Sequence, residues 1–344
     1  MLGTNVGVDI GTTHVLVYVE GKGVVVEEPC VAAYSTLTGE RIAVGTRALK
    51  MVGRSPASIR VVKPMHGGLI SDFMATNHIL RQFLSQVSKN MMFKPNVVAC
   101  VPAGLTKLEQ RTILDVITTA GAAKACLIDE PLAAAFGSGL DIHRPSGTMV
   151  VNIGGGTTDV AVVTMGSMSV SRSIRVAGNA LNEAIVRYFK RTERVHFGER
   201  TAEMLKMEIG SARPREADVA ISAKGKHLIT GMPVRIEVSS TQVYLAMRDT
   251  LDSISDAVTD ILRITPPELA GDIQHNGIVL SGGGALLHGM AEMLEADTGV
   301  PTHVAPEPMR CVALGAGLAL KNPQLLRANG YEFKTREDIT GYRD

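Results

Sequence analysis

The chain has 344 residues, 45% of them hydrophobic, with 35 Lys and Arg set against 34 Asp and Glu. That length implies two domains, each large enough to bury a core, and the charge balance excludes nucleic-acid binding through a broad basic surface. No run of about 18 uncharged apolar residues is available to span a membrane, and the four cysteines (Cys30, Cys100, Cys126, Cys311) are scattered without a CxxC pair, the usage of a reducing cytoplasm.

In chain order, the apolar stretch Val6-Gly7-Val8 runs into Asp9-Ile10-Gly11-Thr12-Thr13, and a second apolar stretch follows at 15–19. This is a strand, a glycine-containing turn and a strand, the arrangement whose backbone N–H groups can face a phosphate. An amphipathic helix carries Ile79, Leu80, Phe83, Leu84 and Val87 at helical spacing. Residues 97–101 read as a short buried strand. Thr106 and Glu109 form a capping box for a helix that Gly121 can close. Residues 125–128 are the next strand, and a helix of small residues follows over 131–138. Strand, helix, strand in this order predicts right-handed parallel crossovers in an α/β domain. Asp129 is expected to be solvated or to cap that helix.

Mid-chain the phosphate-loop pattern returns. Met149-Val150-Val151 leads into Asn152-Ile153-Gly154-Gly155-Gly156-Thr157-Thr158-Asp159, then into the apolar run 160–163. Helices are predicted over 179–191, 201–211 and 241–262, the last with Ser239 and Gln242 as a capping box. A small antiparallel insertion is predicted from the runs 219–223 and 234–238 around a turn-rich centre. The strand 277–280 opens a third loop, Ser281-Gly282-Gly283-Gly284, expected to enter a helix whose N-terminus favours an anion. An apolar helix over 311–320 is the last strong element. The duplicated loop and duplicated wrapping predict two related halves around a cleft.

These three loops resemble those of the actin, heat-shock chaperone ATPase and sugar kinase superfamily. Within it, nearly the whole chain is similar to the MreB family of bacterial actins, through segments 24–29, 63–65, 67–73, 127–140, 173–178, 198–210, 266–273 and 299–318. The resemblance implies an α/β actin-like ATPase fold of four subdomains around a nucleotide cleft. Residues 1–32 and 66–141, with 311–344, form the first subdomain and 33–65 the second. Residues 142–178 and 250–310 form the third, and 179–249 the fourth. It also implies ATP and Mg²⁺ in the cleft, self-association into double filaments, attachment to the inner face of the cytoplasmic membrane, and a part in the cell-wall elongation machinery.

By position, Gly11, Thr12, Thr13 and His14 resemble the first phosphate loop, and Gly154, Gly155, Gly156 and Thr157 the second. Gly282, Gly283 and Gly284 resemble the adenosine loop. Glu203 and Lys206, one helical turn apart, resemble the edge that meets ribose and adenine; as a bare sequence pattern they are a surface ion pair. Glu130 matches the residue that polarises the attacking water, with Asp9 and Thr157 beside it, and Asp9 faces the metal's water shell. Two positions depart from the family: His14 stands for Asn, and Asn152 stands for a metal-facing Asp. An Asn oxygen still accepts from a metal-bound water but brings no charge, and loss of one such preorganised contact costs about 10²–10³ in rate. Nucleotide binding with slow hydrolysis is therefore expected; ordinary turnover supported by Asp9 and Glu130 is the alternative.

Met91, Met92 and Phe93, flanked by Lys89 and Lys94, form an apolar cluster between two elements, either packed beneath its loop or dipping into lipid. The resemblance favours lipid, and with no N-terminal amphipathic helix expected, this loop would be the sole anchor. Leu108 lies on the helix that resembles the one pairing protofilaments. A soluble kinase of the same superfamily is the competing function. It requires a second acidic motif that acts on a substrate hydroxyl, and none is found. A chaperone would require a peptide-binding domain after the last apolar helix.

Overall fold

A computed structural model describes residues 4–89, 92–321, 323–328 and 331–340. Among these, two five-stranded sheets are built on one plan. In the first, Gly23–Pro29, His14–Val19 and Asn5–Ile10 form an antiparallel meander, and Asn96–Val101 and Lys124–Asp129 add to it in parallel. In the second, Ser167–Ile174, Thr158–Thr164 and Thr148–Ile153 form the meander, and Ile278–Ser281 and Thr302–Val304 add in parallel. The predicted duplication is thus visible strand for strand. The central strands are Val- and Ala-rich runs buried on both faces, as parallel strands flanked by helices require.

Each sheet has its own hydrophobic core. The first packs Ile79, Leu80, Phe83 and Leu84 of helix Phe73–Ser88 and Ile113 to Ile117 of helix Lys107–Ala120 against its strands. The second packs helices Gly178–Thr192, Glu199–Ile209 and Ser240–Ile264 around Phe189 and Phe197. Both predicted capping boxes form, at Thr106/Glu109 and Ser239/Gln242, and Gly121 closes the former's helix at φ 123°. The insertion near 220–239 is antiparallel, pairing Ala220–His227 with Pro233–Ser239. A second small sheet, Arg41–Val44, Ala32–Ser35 and Ile59–Val62, sits on the first half.

Between the sheets, helices Glu130–Gly137 and Cys311–Lys321 cross in close contact. A Cβ on Gly137 would fall on the Cys311 carbonyl, and one on Gly315 on that of Ala133, so only glycine permits this approach. Cys30, Cys100 and Cys311 are buried and Cys126 half-buried, all as free thiols. No helix among the described residues is long and apolar enough to cross a membrane.

Two expectations change. The third glycine loop enters a single 3₁₀ turn, Gly283–Leu286, and the next α-helix begins only at Met290. Gly282 at φ 79° and Gly289 in the left-handed region bracket that turn, because successive glycines do not hold an α-helix. Asp129 is neither solvated nor a side-chain cap: it stands at the N-cap position, makes no capping bond, and is buried against Tyr331 and Lys334. These partners lie some two hundred residues away, a contact that no local pattern encodes.

Candidate functional site

Every residue assigned to the nucleotide from sequence lines one cleft between the two halves, with a volume of about 300 Å³. This is the low end of the range for small-molecule sites. The first loop joins the antiparallel strands Asn5–Ile10 and His14–Val19, and the second joins Thr148–Ile153 and Thr158–Thr164. The two loops meet. A Cβ on Gly156 would overlap the Thr12 side chain, and one on Gly155 the Thr13 side chain. The Thr12 hydroxyl accepts from the backbone N–H of Gly68 at 3.0 Å, fastening the first loop to the wall beside it. The second loop is fastened by the helix behind it: the N–H groups of Gly178 and Asn179 donate to the carbonyls of Gly154 (3.1 Å) and Gly155 (2.8 Å). His14 begins its strand with Nδ1 3.3 Å from the Thr13 hydroxyl. Gly284 packs on the side chain of Ile153, which brings the third loop against the second.

Glu203 and Lys206 face the cleft and are not a surface ion pair. Lys206 Nζ donates to the Gly178 carbonyl at 3.1 Å, and burial holds its pKa below the ordinary lysine value, partly offset by the neighbouring Glu203 charge. Gly68, Gly178, Asn179, Met207 and Met309 also line the cleft without having been assigned to it. Gly178-Asn179 had a signal in its position at the start of a helix. Met207 and Met309 had none, since an isolated methionine is ordinary core composition.

Half-buried Asp9 and buried Glu130 line the floor, and the fully buried Asp159 acts on both through its charge. Burial, with the charge of Asp159, pushes Asp9 up to about 7. Burial, with the charges of Asp159 and Asp9, holds Glu130 well above the usual carboxylate range. Burial likewise raises Asp159 to about 6, against hydrogen bonds from Ser173, the Ala103 N–H and Thr157. Asp159 Oδ2 is buried without a partner. Asp159 was quoted in the loop motif without a role; its burial beneath the loop gives it one, as the acid that most raises its neighbours. Asn152, only 4% exposed, spans this floor. Its Nδ2 donates to Glu130 Oε2 at 3.2 Å, and its Oδ1 accepts from the Ser281 hydroxyl at 3.2 Å.

The arrangement can serve a polyphosphate with its cation: glycine loops from both halves meet at the cleft, and the acids Asp9 and Glu130 lie in its floor. Among the described residues no three or more His, Cys, Asp or Glu side chains are disposed to chelate an ion directly. Asp9, Glu130 and the Asn152 side chain, which line the cleft, fit a cation that arrives with a phosphate and is held through water.

The family model described as "MreB/Mbl protein" matches residues 3–328. Cell shape-determining protein Mbl of Bacillus subtilis is 40% identical over 323 residues, covering 94% of this chain and 97% of Mbl. Cell shape-determining protein MreB of Escherichia coli K12 is 41% identical over 327 residues, covering 93% and 94%. The crystal structure of MreB5 of Spiroplasma citri bound to AMPPNP superposes with a TM-score of 0.89 at 34% identity, over 96% of this chain and 100% of that one. The MamK double helical filament structure, at 20% identity and a TM-score of 0.80, shares the fold over 92% and 98% of the two chains. With its two matched sheets and three glycine loops on one cleft, the chain belongs to the MreB/Mbl family of actin-like, cell shape-determining proteins.

Proposed function

We propose that this protein binds ATP with Mg²⁺ in the cleft, polymerises into filaments on the inner face of the cytoplasmic membrane, organises cell-wall synthesis there, and hydrolyses ATP slowly. The observation that carries the reading is the convergence of all three glycine loops and the acids Asp9 and Glu130 on a single cleft. Similarity to MreB5 solved with AMPPNP and with ADP supports the nucleotide.

In this reading Gly11 to His14 and Gly154 to Thr157 hold the phosphates from opposite sides. Gly282 to Gly284 take the adenosine, and Glu203 and Lys206 its ribose edge. Asp9 and Asn152 hold the metal's water shell. When bound, Mg²⁺ supplies positive charge that offsets the clustered acids and the charge developing on the terminal phosphate. Glu130 accepts the hydrogen bond of the attacking water and orients it in line with that phosphate. Asn152 lowers the rate in two ways: it adds no charge at the metal, and its Nδ2 occupies one lone pair of Glu130.

Met92 is 90% and Phe93 48% exposed, and Lys89 and Lys94 are exposed beside them, which supports contact with an anionic lipid surface; Met91 lies outside the described residues. Burying two such side chains is worth about 1.5–3 kcal/mol each, millimolar attachment for one copy, so firm binding needs the many copies of a filament. Leu108 is 75% exposed on the outer face of its helix, open to a second protofilament. The test is sedimentation of protein at rising concentration with ATP and Mg²⁺, with and without anionic liposomes. Pelleting above a threshold concentration, enhanced by liposomes, is expected; a protein that stays in the supernatant throughout refutes the filament and returns the soluble kinase.

A further inference from the structure

We propose that the segment from Tyr331 to Thr340 is a strap that positions Glu130 for hydrolysis, with Tyr331 and Lys334 acting through Asp129. The proposal rests on the reading of the cleft as an ATPase site and adds a device that the family model does not cover, since its match ends at residue 328.

Strand Lys124–Asp129 is the outer strand of the first sheet and delivers Glu130 directly, as the first residue of the following helix. The strap pairs with that edge. Leu127 N–H donates to the Lys334 carbonyl at 2.9 Å, and Lys334 N–H donates to the Leu127 carbonyl at 3.2 Å. Two residues on, its side chains take hold of Asp129. The Tyr331 hydroxyl donates to Asp129 Oδ2 at 3.0 Å and accepts from the Asp129 backbone N–H at 3.0 Å. Lys334 Nζ reaches both carboxylate oxygens, at 2.8 and 3.0 Å.

The consequence for Glu130 is geometric. Asp129 holds the N-cap position of the helix that Glu130 opens, yet its carboxylate turns from that helix to the strap. Asp129, the residue before Glu130, is thereby held by the strap through its backbone N–H and its carboxylate, while Asn152 holds the Glu130 carboxylate on the other side. The strap is itself anchored beyond this point. Thr335 and Asp338 cap its short helix reciprocally, Arg336 meets Asp115 at 3.4 Å, and Ile339 packs onto the first core. A misplacement of about 1 Å at a water-orienting group costs on the order of 100-fold in rate. Tyr331 and Lys334 are therefore positioning residues, and neither touches the cleft.

The experiment uses the full chain with Lys334→Met, Tyr331→Phe and Lys334→Arg. Phosphate release against ATP concentration gives kcat and KM, a fluorescent ATP analogue gives affinity, and amide hydrogen exchange of residues 127–132 is followed with ATP and Mg²⁺ bound. The expected result is a kcat about tenfold or more lower in Lys334→Met, with KM and analogue affinity unchanged, faster exchange over 127–132, and recovery of both in Lys334→Arg. Tyr331→Phe should lie between. Unchanged kcat and exchange in Lys334→Met overturns the proposal, and so does a parallel loss of kcat and affinity with a lowered Tm, which marks a merely structural contact. If the parent releases no phosphate, the ATPase reading fails by itself. Faster exchange over 127–132 would then still uphold the strap as the element that holds Glu130, and unchanged exchange would refute it.

Discussion

Replacing Asn152 with Asp puts a carboxylate where an amide now donates to Glu130 at 3.2 Å. The substitution changes hardly any volume, so its effect is electrostatic. Two unit charges at that separation repel by about 5 kcal/mol at an effective dielectric constant of about 20, an upper bound equal to nearly four pH units of titration. The pair cannot both ionise and will share one proton, with Glu130 as the member whose proton affinity burial and Asp159 already raise. An acid that keeps its proton in the folded state to a higher pH than in the unfolded chain binds more protons when folded. Its contribution to stability is present at low pH and is lost as pH rises through the folded pKa. The nucleotide-free variant should therefore match the parent below about pH 4, where the unfolded carboxyl is also protonated, and fall behind it by about 2–5 kcal/mol toward pH 8. Urea denaturation across that range measures this. With ATP and Mg²⁺ the sign reverses, since the added charge now faces the metal: a larger thermal shift on nucleotide addition and about 10²–10³-fold faster phosphate release are expected. Equal stability at every pH would refute the contact between Asn152 and Glu130. Equal phosphate release would show that Asn152 does not limit turnover.

Other substitutions test other parts. Asp9→Asn removes an acid raised to about 7 by burial and by Asp159, so the nucleotide-free variant should lose less stability than the parent between pH 4 and 7, by up to about 4 kcal/mol, as read from denaturation midpoints. Gly315→Ala drives a methyl into the Ala133 carbonyl where the two central helices cross; it should cost on the order of 3 kcal/mol and lower Tm by about 4 °C, and an unshifted Tm would show that the crossing relaxes freely. Lys206→Met removes a half-buried ammonium from the cleft wall and should weaken binding of an ATP analogue about tenfold while leaving urea stability within about 1 kcal/mol. Phe93→Ser should abolish liposome co-pelleting and leave pelleting without liposomes unchanged; retained liposome binding would remove this loop as the anchor.

Much was readable in the chain because the physics behind it is local. A glycine turn between two apolar strands needs no distant partner to take shape, so the three loops, both capping boxes and the antiparallel insertion near 220–239 were visible as patterns. The repetition of the first loop at 152–159 announced two sheets of one plan, and both have it. Tertiary structure decided what depends on atoms brought together from far along the chain. Asn152 read as a weakened metal contact; only folding showed that its amide also ties Glu130 to Ser281. Asp159 read as the end of a motif, and only burial of all three groups lets its charge add to the desolvation that raises Asp9 and Glu130. Glu203 and Lys206 had the spacing of a surface ion pair until the fold turned that helix edge into the cleft. Asp129 is the clearest case. From its neighbours it is a helix cap, yet a buried carboxylate must find a charge-assisted partner, and Lys334 reaches it only because the chain's last segment returns to the sheet edge beside it.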